Sequence, residues 1–161
     1  MKTELKLLLP ALRRFAYSLT GSMADADDLL QNTVLRLLNS PPAAGVPLAQ
    51  WAFKICRNLW IDDYRAQKVR HNATLQAELQ QENFSDGELD MLNQIQLDEV
   101  NSAMNTLPDE QREVLSLVAV QGLSYQEAAS VLAIPAGTIM SRLARARAAM
   151  VTALKLNGGL A

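Results

Sequence analysis

Residues 107–150 read LPDEQREVLSLVAVQGLSYQEAASVLAIPAGTIMSRLARARAAM, and this stretch decides the fold. Gly122 ends one apolar helical run, and Ser124 with Glu127 forms a capping box that opens the next helix. Residues 134–137, IPAG, predict a turn before a long helix that starts at about Thr138. A short helix, a tight turn and a second helix predict a helix-turn-helix module, whose second helix enters the major groove of duplex DNA.

The last helix carries separate apolar and polar faces. Ile139, Leu143 and Met150 recur at helical spacing and are predicted to anchor it in a core. Arginine can fork onto guanine, and hydroxyl groups suit phosphates or base edges. The predicted DNA-facing residues near its N-terminal end are Thr138, Met140, Ser141, Arg142 and Arg145.

The rest of the chain favours an all-α fold made of two small helical domains. Apolar residues at helical spacing predict a first helix that Gly21 ends, a second over about 24–38, and a third over about 48–70. Pro108 is predicted at the first position of a later helix. We place the domains at residues 1–71 and 93–157, with an acidic linker at 72–92.

The net charge of −2 conceals two basic blocks. Residues 51–71 carry five Lys or Arg against two Asp, and residues 134–161 carry four Lys or Arg and no acid. Between them, residues 72–100 carry seven acidic side chains and no basic one. Local patches, more than net charge, decide where phosphate docks.

Several classes of function are disfavoured by composition. A single Cys and a single His do not suffice for a structural zinc site, and the lone Cys56 excludes an internal disulfide. No catalytic constellation, metal cluster or cofactor-binding motif is evident, so we expect neither an enzyme nor a cofactor. No apolar run is long enough for membrane insertion, and we expect a cytoplasmic protein.

Two blocks strongly resemble the extracytoplasmic-function group of bacterial RNA polymerase sigma factors. Residues 107–150 resemble domain four of that group, in the elements Arg112-Glu113, GLSY at 122–125, EAA at 127–129 and SRL at 141–143. DADDLLQNTVLRLL at 25–38 and WAFKICRNLWIDDYRAQK at 51–68 resemble its domain two. The resemblance covers nearly the whole chain, in the family's order.

The resemblance implies a promoter-specificity subunit with two DNA-contacting domains, and it assigns a role to particular residues. It implies core RNA polymerase as a partner, through the β′ clamp helices and the β flap, together with promoter DNA and an anti-sigma factor. The implied β′ contacts are Asp27, Asp28, Gln31 and Thr33. The implied contacts to the −10 element are Asn58, Asp62 and Arg65, and the DNA-facing residues of the last helix would read the −35 element.

Two residues, Met140 and Trp60, depart from the family's usual pattern. Met140 stands where many relatives carry a polar or basic residue. The resemblance therefore does not carry a particular −35 sequence over to this chain. Trp60 stands where a small residue is usual, and either packs in the core or offers a stacking platform for a base.

Two other functions are alternatives to a sigma factor. A stand-alone helix-turn-helix regulator would bind DNA without polymerase. A helical protein that only sequesters a partner would lack the basic residues near Arg142 and Arg145.

Overall fold

A computed structural model describes residues 2–64 and 98–156. Within these ranges every regular element is a helix, which confirms the all-α class. The predicted linker and Arg65 lie outside the described residues.

The N-terminal half (residues 2–64) contains α1 (Lys2–Thr20), α2 (Met23–Asn39) and α3 (Leu48–Leu59). Gly21 ends α1 with a φ of 76°, a conformation that glycine adopts without steric cost. The hydroxyl of Ser22 then accepts from the Asp25 amide at 3.3 Å and caps α2. Phe15 and Phe53 meet edge to face inside the three helices, with ring centroids 5.1 Å apart.

Helix α3 continues as a π-helical turn over Trp60–Tyr64. Trp60 is 3% exposed and belongs to the hydrophobic core, so the core role of this residue is confirmed and it is not available as a stacking platform. Trp51 is half-buried and donates from its indole Nε1 to the Ser40 carbonyl at 2.8 Å, which ties the start of α3 to the end of α2.

The C-terminal half (residues 98–156) contains four helices among these described residues. These are α4 (residues 98–105), α5 (Asp109–Leu115, continued as a π-helical turn over Ser116–Val120), α6 (Tyr125–Leu132) and α7 (Ala136–Leu156). Pro108 has a ψ of 152° and precedes the first helical residue, so the predicted start of α5 is wrong by one residue. Its carbonyl nevertheless accepts from the Arg112 amide at 2.9 Å, and Pro108 therefore acts as the N-cap.

The turn between α6 and α7 is shorter than predicted. Ala133 takes the left-handed conformation, with a φ of 56°, and its amide donates to the Ala129 carbonyl. The Pro135 carbonyl accepts from the amides of Thr138 and Ile139, at 3.0 and 3.2 Å. The last helix consequently begins at Ala136, two residues before its predicted start.

The two halves pack against each other. Helix α1 contacts the π-helical turn after α5, and α3 contacts α6. One continuous hydrophobic core includes residues of both halves, among them Phe15, Leu59, Leu117 and Ala128. The sequence did not predict this packing.

Candidate nucleic-acid interface

The first turns of α7 present one buried face and one open face. Ile139, Leu143 and Ala146 are at most 1% exposed and fix the helix to the core. On the other side, Met140 is 50% exposed, and Ser141 and Arg145 are exposed as well. This alternation follows the helical period, so the anchor prediction for Ile139 and Leu143 is confirmed.

Helix α6 packs against α7 and holds it in place. The Ser124 hydroxyl accepts from the Glu127 amide at 3.0 Å, and the Glu127 carboxylate accepts from the Ser124 amide at 2.8 Å. The predicted capping box is therefore confirmed. Buried Ala128 and half-buried Ala129 keep the packed side of α6 small, and α6 packs directly on α7.

Arg142 differs from Arg145 in its surroundings. Its Nη2 atom lies 3.1 Å from Oε2 of Glu110, and its side chain is only 25% exposed. Thr138 is half-buried and its carbonyl accepts from the Ser141 hydroxyl at 3.3 Å. Of the five predicted −35 contacts, the open face of α7 thus brings together Met140, Ser141 and Arg145, with Thr138 and Arg142 at its edge.

The predicted −10 contacts lie at the C-terminal end of α3 and in the π-helical turn after it. Asn58 and Asp62 are exposed. The Oδ1 atom of Asn58 accepts from Nη1 of Arg57 at 3.2 Å, so the neighbouring guanidinium orients this amide. Both side chains are placed for contact with an external ligand, although α6 packs against the same helix α3.

The predicted polymerase contacts lie on α2. Asp28 and Gln31 are exposed, and Asp27 forms a half-exposed ion pair with Arg13 at 3.1 Å. Thr33 is different, because it is fully buried and donates from its hydroxyl to the Leu29 carbonyl at 2.7 Å. The Thr33 side chain is therefore not exposed for a direct polymerase contact in this structure, where it serves the packing of α2.

Arg57, Arg112 and Glu113 lie between the two halves, and the sequence did not predict that they contact the other half. Arg112 and Glu113 are each 2% exposed, and Glu113 pairs with Arg57 of α3. Burial lowers the pKa of Arg112 to about 10, and burial raises the pKa of Glu113 against the opposing pull of Arg57. Residues 109–113 of α5 are all charged or polar, so nothing local in the sequence indicated that Arg112 and Glu113 are buried.

Among residues 2–64 and 98–156 no group of three or more His, Cys, Asp or Glu side chains is placed to hold a metal ion. No helix in the same ranges is both long and apolar enough to cross a membrane.

Known proteins show the same two blocks. The family model described as Sigma-70 region 2 matches residues 5–70, and the one described as Sigma-70, region 4 matches residues 97–150. The ECF RNA polymerase sigma factor EcfG of Rhodopseudomonas palustris (strain TIE-1) is 34% identical over 160 residues, which cover 98% of this chain and 87% of the relative. SigC of Mycobacterium tuberculosis (strain CDC 1551 / Oshkosh), also an ECF sigma factor, is 36% identical over 81% of this chain and 71% of its own.

Solved structures extend the likeness to three dimensions. The sigma factor RpoE in complex with the anti-sigma factor NepR from Bartonella quintana has a TM-score of 0.78 and 32% identity, over 96% of each chain. CnrH in complex with the cytosolic domain of CnrY has a TM-score of 0.72 and 25% identity, over 96% of this chain and 87% of that one. The fold, the two matched regions and a relative matched over 98% of this chain agree, and this chain belongs to the ECF family of RNA polymerase sigma factors.

Proposed function

We propose that this sigma factor directs core RNA polymerase to promoters through two DNA-contacting domains, residues 1–71 and 93–157, joined by residues 72–92. The observation that carries the proposal is the open face of α7, where Met140 and Arg145 stand exposed above buried Ile139 and Leu143. Such a face, supported by a capped helix across a tight turn, fits the major groove of duplex DNA. The chain itself performs no catalysis, because RNA synthesis belongs to the polymerase.

The open face of α7 would read the −35 element. Arg145 is free of ion pairs among the described side chains, and it can fork onto a guanine or bind phosphate. Ser141 can contact a phosphate or base edge. Met140 brings an apolar side chain, which suits the methyl group of thymine. Arg142 would have to exchange Glu110 for DNA, and Thr138 supports the edge of the face.

The N-terminal half would contact the polymerase and the −10 element. Asp28 and Gln31 lie exposed on α2 and, with Asp27, would bind the β′ clamp helices. Asn58 and Asp62, together with Arg65, would hold bases of the −10 element after strand separation. Unpairing costs a few kcal/mol, so capture of unpaired bases makes opening depend on sequence.

The partners follow from the same assignment. We infer that the chain binds core polymerase at the β′ clamp helices and the β flap, and promoter DNA at both domains. RpoE was solved with an anti-sigma factor and shares this fold over 96% of the chain, which supports an anti-sigma partner here. Each domain alone would bind DNA weakly, and attachment of both to one polymerase provides the avidity. The protein would therefore act in the cytoplasm, with the polymerase.

Run-off transcription tests the proposal. Core polymerase is supplied with a genomic promoter library, with and without this protein, and the transcript starts are mapped. Initiation at defined sites only in its presence supports the proposal. Initiation at no defined site contradicts it. Footprints on those sites with the protein alone, at equal affinity, would instead support a stand-alone helix-turn-helix regulator.

Asp28→Arg tests the polymerase contact separately. Reversal of an exposed charge on α2 should lower the affinity for core polymerase about tenfold, which corresponds to ~1.4 kcal/mol. Fluorescence anisotropy with labelled protein measures that affinity. Glu4→Arg on α1 makes the same charge change on an exposed position and serves as the matched control. Equal affinities of Asp28→Arg and wild type would reject the contact.

A further inference from the structure

An ion pair distinguishes Arg142 from the other two arginines of α7. Arg145 and Arg147 are exposed to solvent. The Nη2 atom of Arg142 instead lies 3.1 Å from Oε2 of Glu110, and the side chain of Arg142 is only 25% exposed. Helix α7 contains no acidic residue of its own, so this partner comes from the first turn of α5. The recognition helix therefore presents two open cations and one that a neighbouring helix neutralises.

The position of Arg142 would allow it to reach DNA if it were released. It follows exposed Ser141 and precedes buried Leu143, so it lies on the flank between the open and the packed side of α7. With about 3.6 residues per helical turn, Arg142 and Arg145 are neighbours one turn apart and lie about 60° from each other around the axis. A released Arg142 would therefore extend to the same side of a bound duplex as Arg145.

A second carboxylate lies near Arg142 but is already occupied. Burial raises the pKa of Glu113, and the charges of Arg57 and Arg142 act in the opposite direction, so Arg142 lies within the electrostatic field of Glu113. Both carboxylate oxygens of Glu113 nevertheless accept from Arg57, from Nε at 2.7 Å and from Nη2 at 3.3 Å. Glu110 is consequently the carboxylate that binds the Arg142 guanidinium.

The pair affects DNA affinity more than it affects stability. The side chain of Glu110 is 66% exposed, and an ion pair with so exposed a partner contributes little to the free energy of unfolding. An arginine that contacts a phosphate adds affinity for every duplex, because phosphates carry no direct sequence information. Non-promoter duplex is in large excess in a cell, so such a contact also retains the factor away from promoters.

We propose that Glu110 withholds Arg142 from DNA phosphates and thereby limits the sequence-independent part of the affinity of α7 for duplex DNA. Glu110 itself contacts no DNA in this assignment, and it acts through Arg142 as a positioning residue. The proposal rests on the proposed function, because it takes α7 to dock on duplex DNA. It leaves the reading of bases to the open face of α7.

Glu110→Ala tests the proposal through a gain of affinity, which damage to the fold would not produce. Holoenzyme made from core polymerase and the full chain binds two labelled duplexes, with an intact or a scrambled −35 element, at several salt concentrations. Both duplexes end upstream of the −10 element, so strand separation does not contribute. The variant should bind both severalfold more tightly at low salt. The slope of log K against log salt should steepen by about 0.9, the value for one further phosphate contact.

Two further variants separate the release of Arg142 from the loss of a negative charge near DNA. Arg142→Gln alone should keep the wild-type salt slope, because Arg142 contacts no phosphate in the wild type. Glu110→Ala combined with Arg142→Gln should also show the wild-type slope, because the released guanidinium is then absent. Glu4→Ala removes an exposed carboxylate from α1, and as the matched control it should leave the slope unchanged.

Three results would overturn the proposal. The first is an unchanged salt slope in Glu110→Ala. The second is a shallower slope in Arg142→Gln, which would show that Arg142 contacts phosphate in the presence of Glu110. The third is a steeper slope that persists in the double variant, which would assign the effect to the charge of Glu110 alone. Circular dichroism checks the fold of each variant, and the comparison of Glu110→Ala with wild type decides the matter if Arg142→Gln unfolds.

Failure of the proposed function would look different. Wild-type holoenzyme that binds the intact and the scrambled duplex with equal affinity would reject −35 reading by α7. The salt slopes of the wild type and of Glu110→Ala would still report whether Arg142 is released to phosphate. If both duplexes are distinguished by the wild type, the ratio of their affinities should be the same in Glu110→Ala, because the added contact is independent of sequence.

Discussion

At the scale of single residues, Arg142 and Arg145 of α7 have different surroundings. Arg145 is exposed, whereas Arg142 is held by Glu110 and is three-quarters buried. The sequence predicted both on the DNA side, because both lie near the N-terminal end of the helix. It did not predict the pair with Glu110, since that contact joins positions 32 residues apart on different helices.

Arg145→Ala should weaken −35-dependent initiation. Loss of a forked contact to a base is worth ~1–3 kcal/mol, which corresponds to roughly 5- to 150-fold in binding. Run-off transcription on a promoter with its −35 element intact or replaced measures the effect, which should appear only with the intact element. Arg147→Ala, an exposed arginine about 200° further round the helix, is the matched control. A similar loss in both variants would indicate general attraction to phosphate.

Met140 should read thymine through its methyl group. Replacement of thymine by uracil in the −35 duplex removes only that methyl, so it should weaken binding of wild-type holoenzyme severalfold. Met140→Ala should remove most of this difference and Met140→Leu should keep it. Competition binding on the two duplexes measures the ratio. An equal ratio for wild type and Met140→Ala would contradict the contact.

At the scale of helices, the sequence located the elements well and their ends less well. The capping box at Ser124 and the break at Gly21 were predicted from local chemistry, and both are present. The start of α7 was misplaced, because Ala133 and not glycine takes the left-handed conformation. Glycine is the usual residue in that conformation at the end of a helix. The glycine of IPAG, Gly137, therefore suggested that the turn ends later and that α7 starts at about Thr138.

Ser124→Ala should destabilise the helix-turn-helix. Loss of the N-cap leaves the Glu127 amide without its acceptor and should cost ~1 kcal/mol in the free energy of unfolding. Urea denaturation followed by circular dichroism measures this cost. Ser130→Ala in the middle of the same helix should be neutral or slightly stabilising, because alanine has the higher helix propensity. Equal stabilities of the two variants would rule out a capping contribution.

At the scale of the whole molecule, the packing of the halves depends on contacts that no local pattern encodes. Arg57 and Glu113 are 56 positions apart, and neither is unusual within its own helix. The resemblance to a family of two-domain factors predicted separate domains joined by a linker, and it carried no information on their contact. Burial of paired charges in the tertiary structure is the physical reason that this part was missed.

The stability of the packed molecule should fall as pH rises through the titration of Glu113. Its pKa is raised by burial, so the protonated form is favoured in the folded state, and its stabilising contribution is full below the ordinary value of 4.5 and lost above the raised pKa. The charged groups acting on it are Arg57, Arg142 and Asp109.

Glu113→Gln should remove that pH dependence. Urea denaturation between about pH 4 and pH 7 should show the variant gaining stability relative to wild type as pH rises. Glu4→Gln, an exposed glutamate on α1, is the control. A difference in stability between Glu113→Gln and wild type that stays constant across the range would contradict the raised pKa of Glu113.

The end of α1 has one further consequence. Its carbonyls at Ser18 and Gly21 are satisfied by Arg112 and Asn101, so separation of the halves leaves them to water. The last turn of α1 would then fray, and the amide of Gly21, bonded to the Tyr17 carbonyl at 2.8 Å, would exchange its hydrogen faster. Hydrogen exchange at the Gly21 amide thus reports, without any label, on the contact between the two halves.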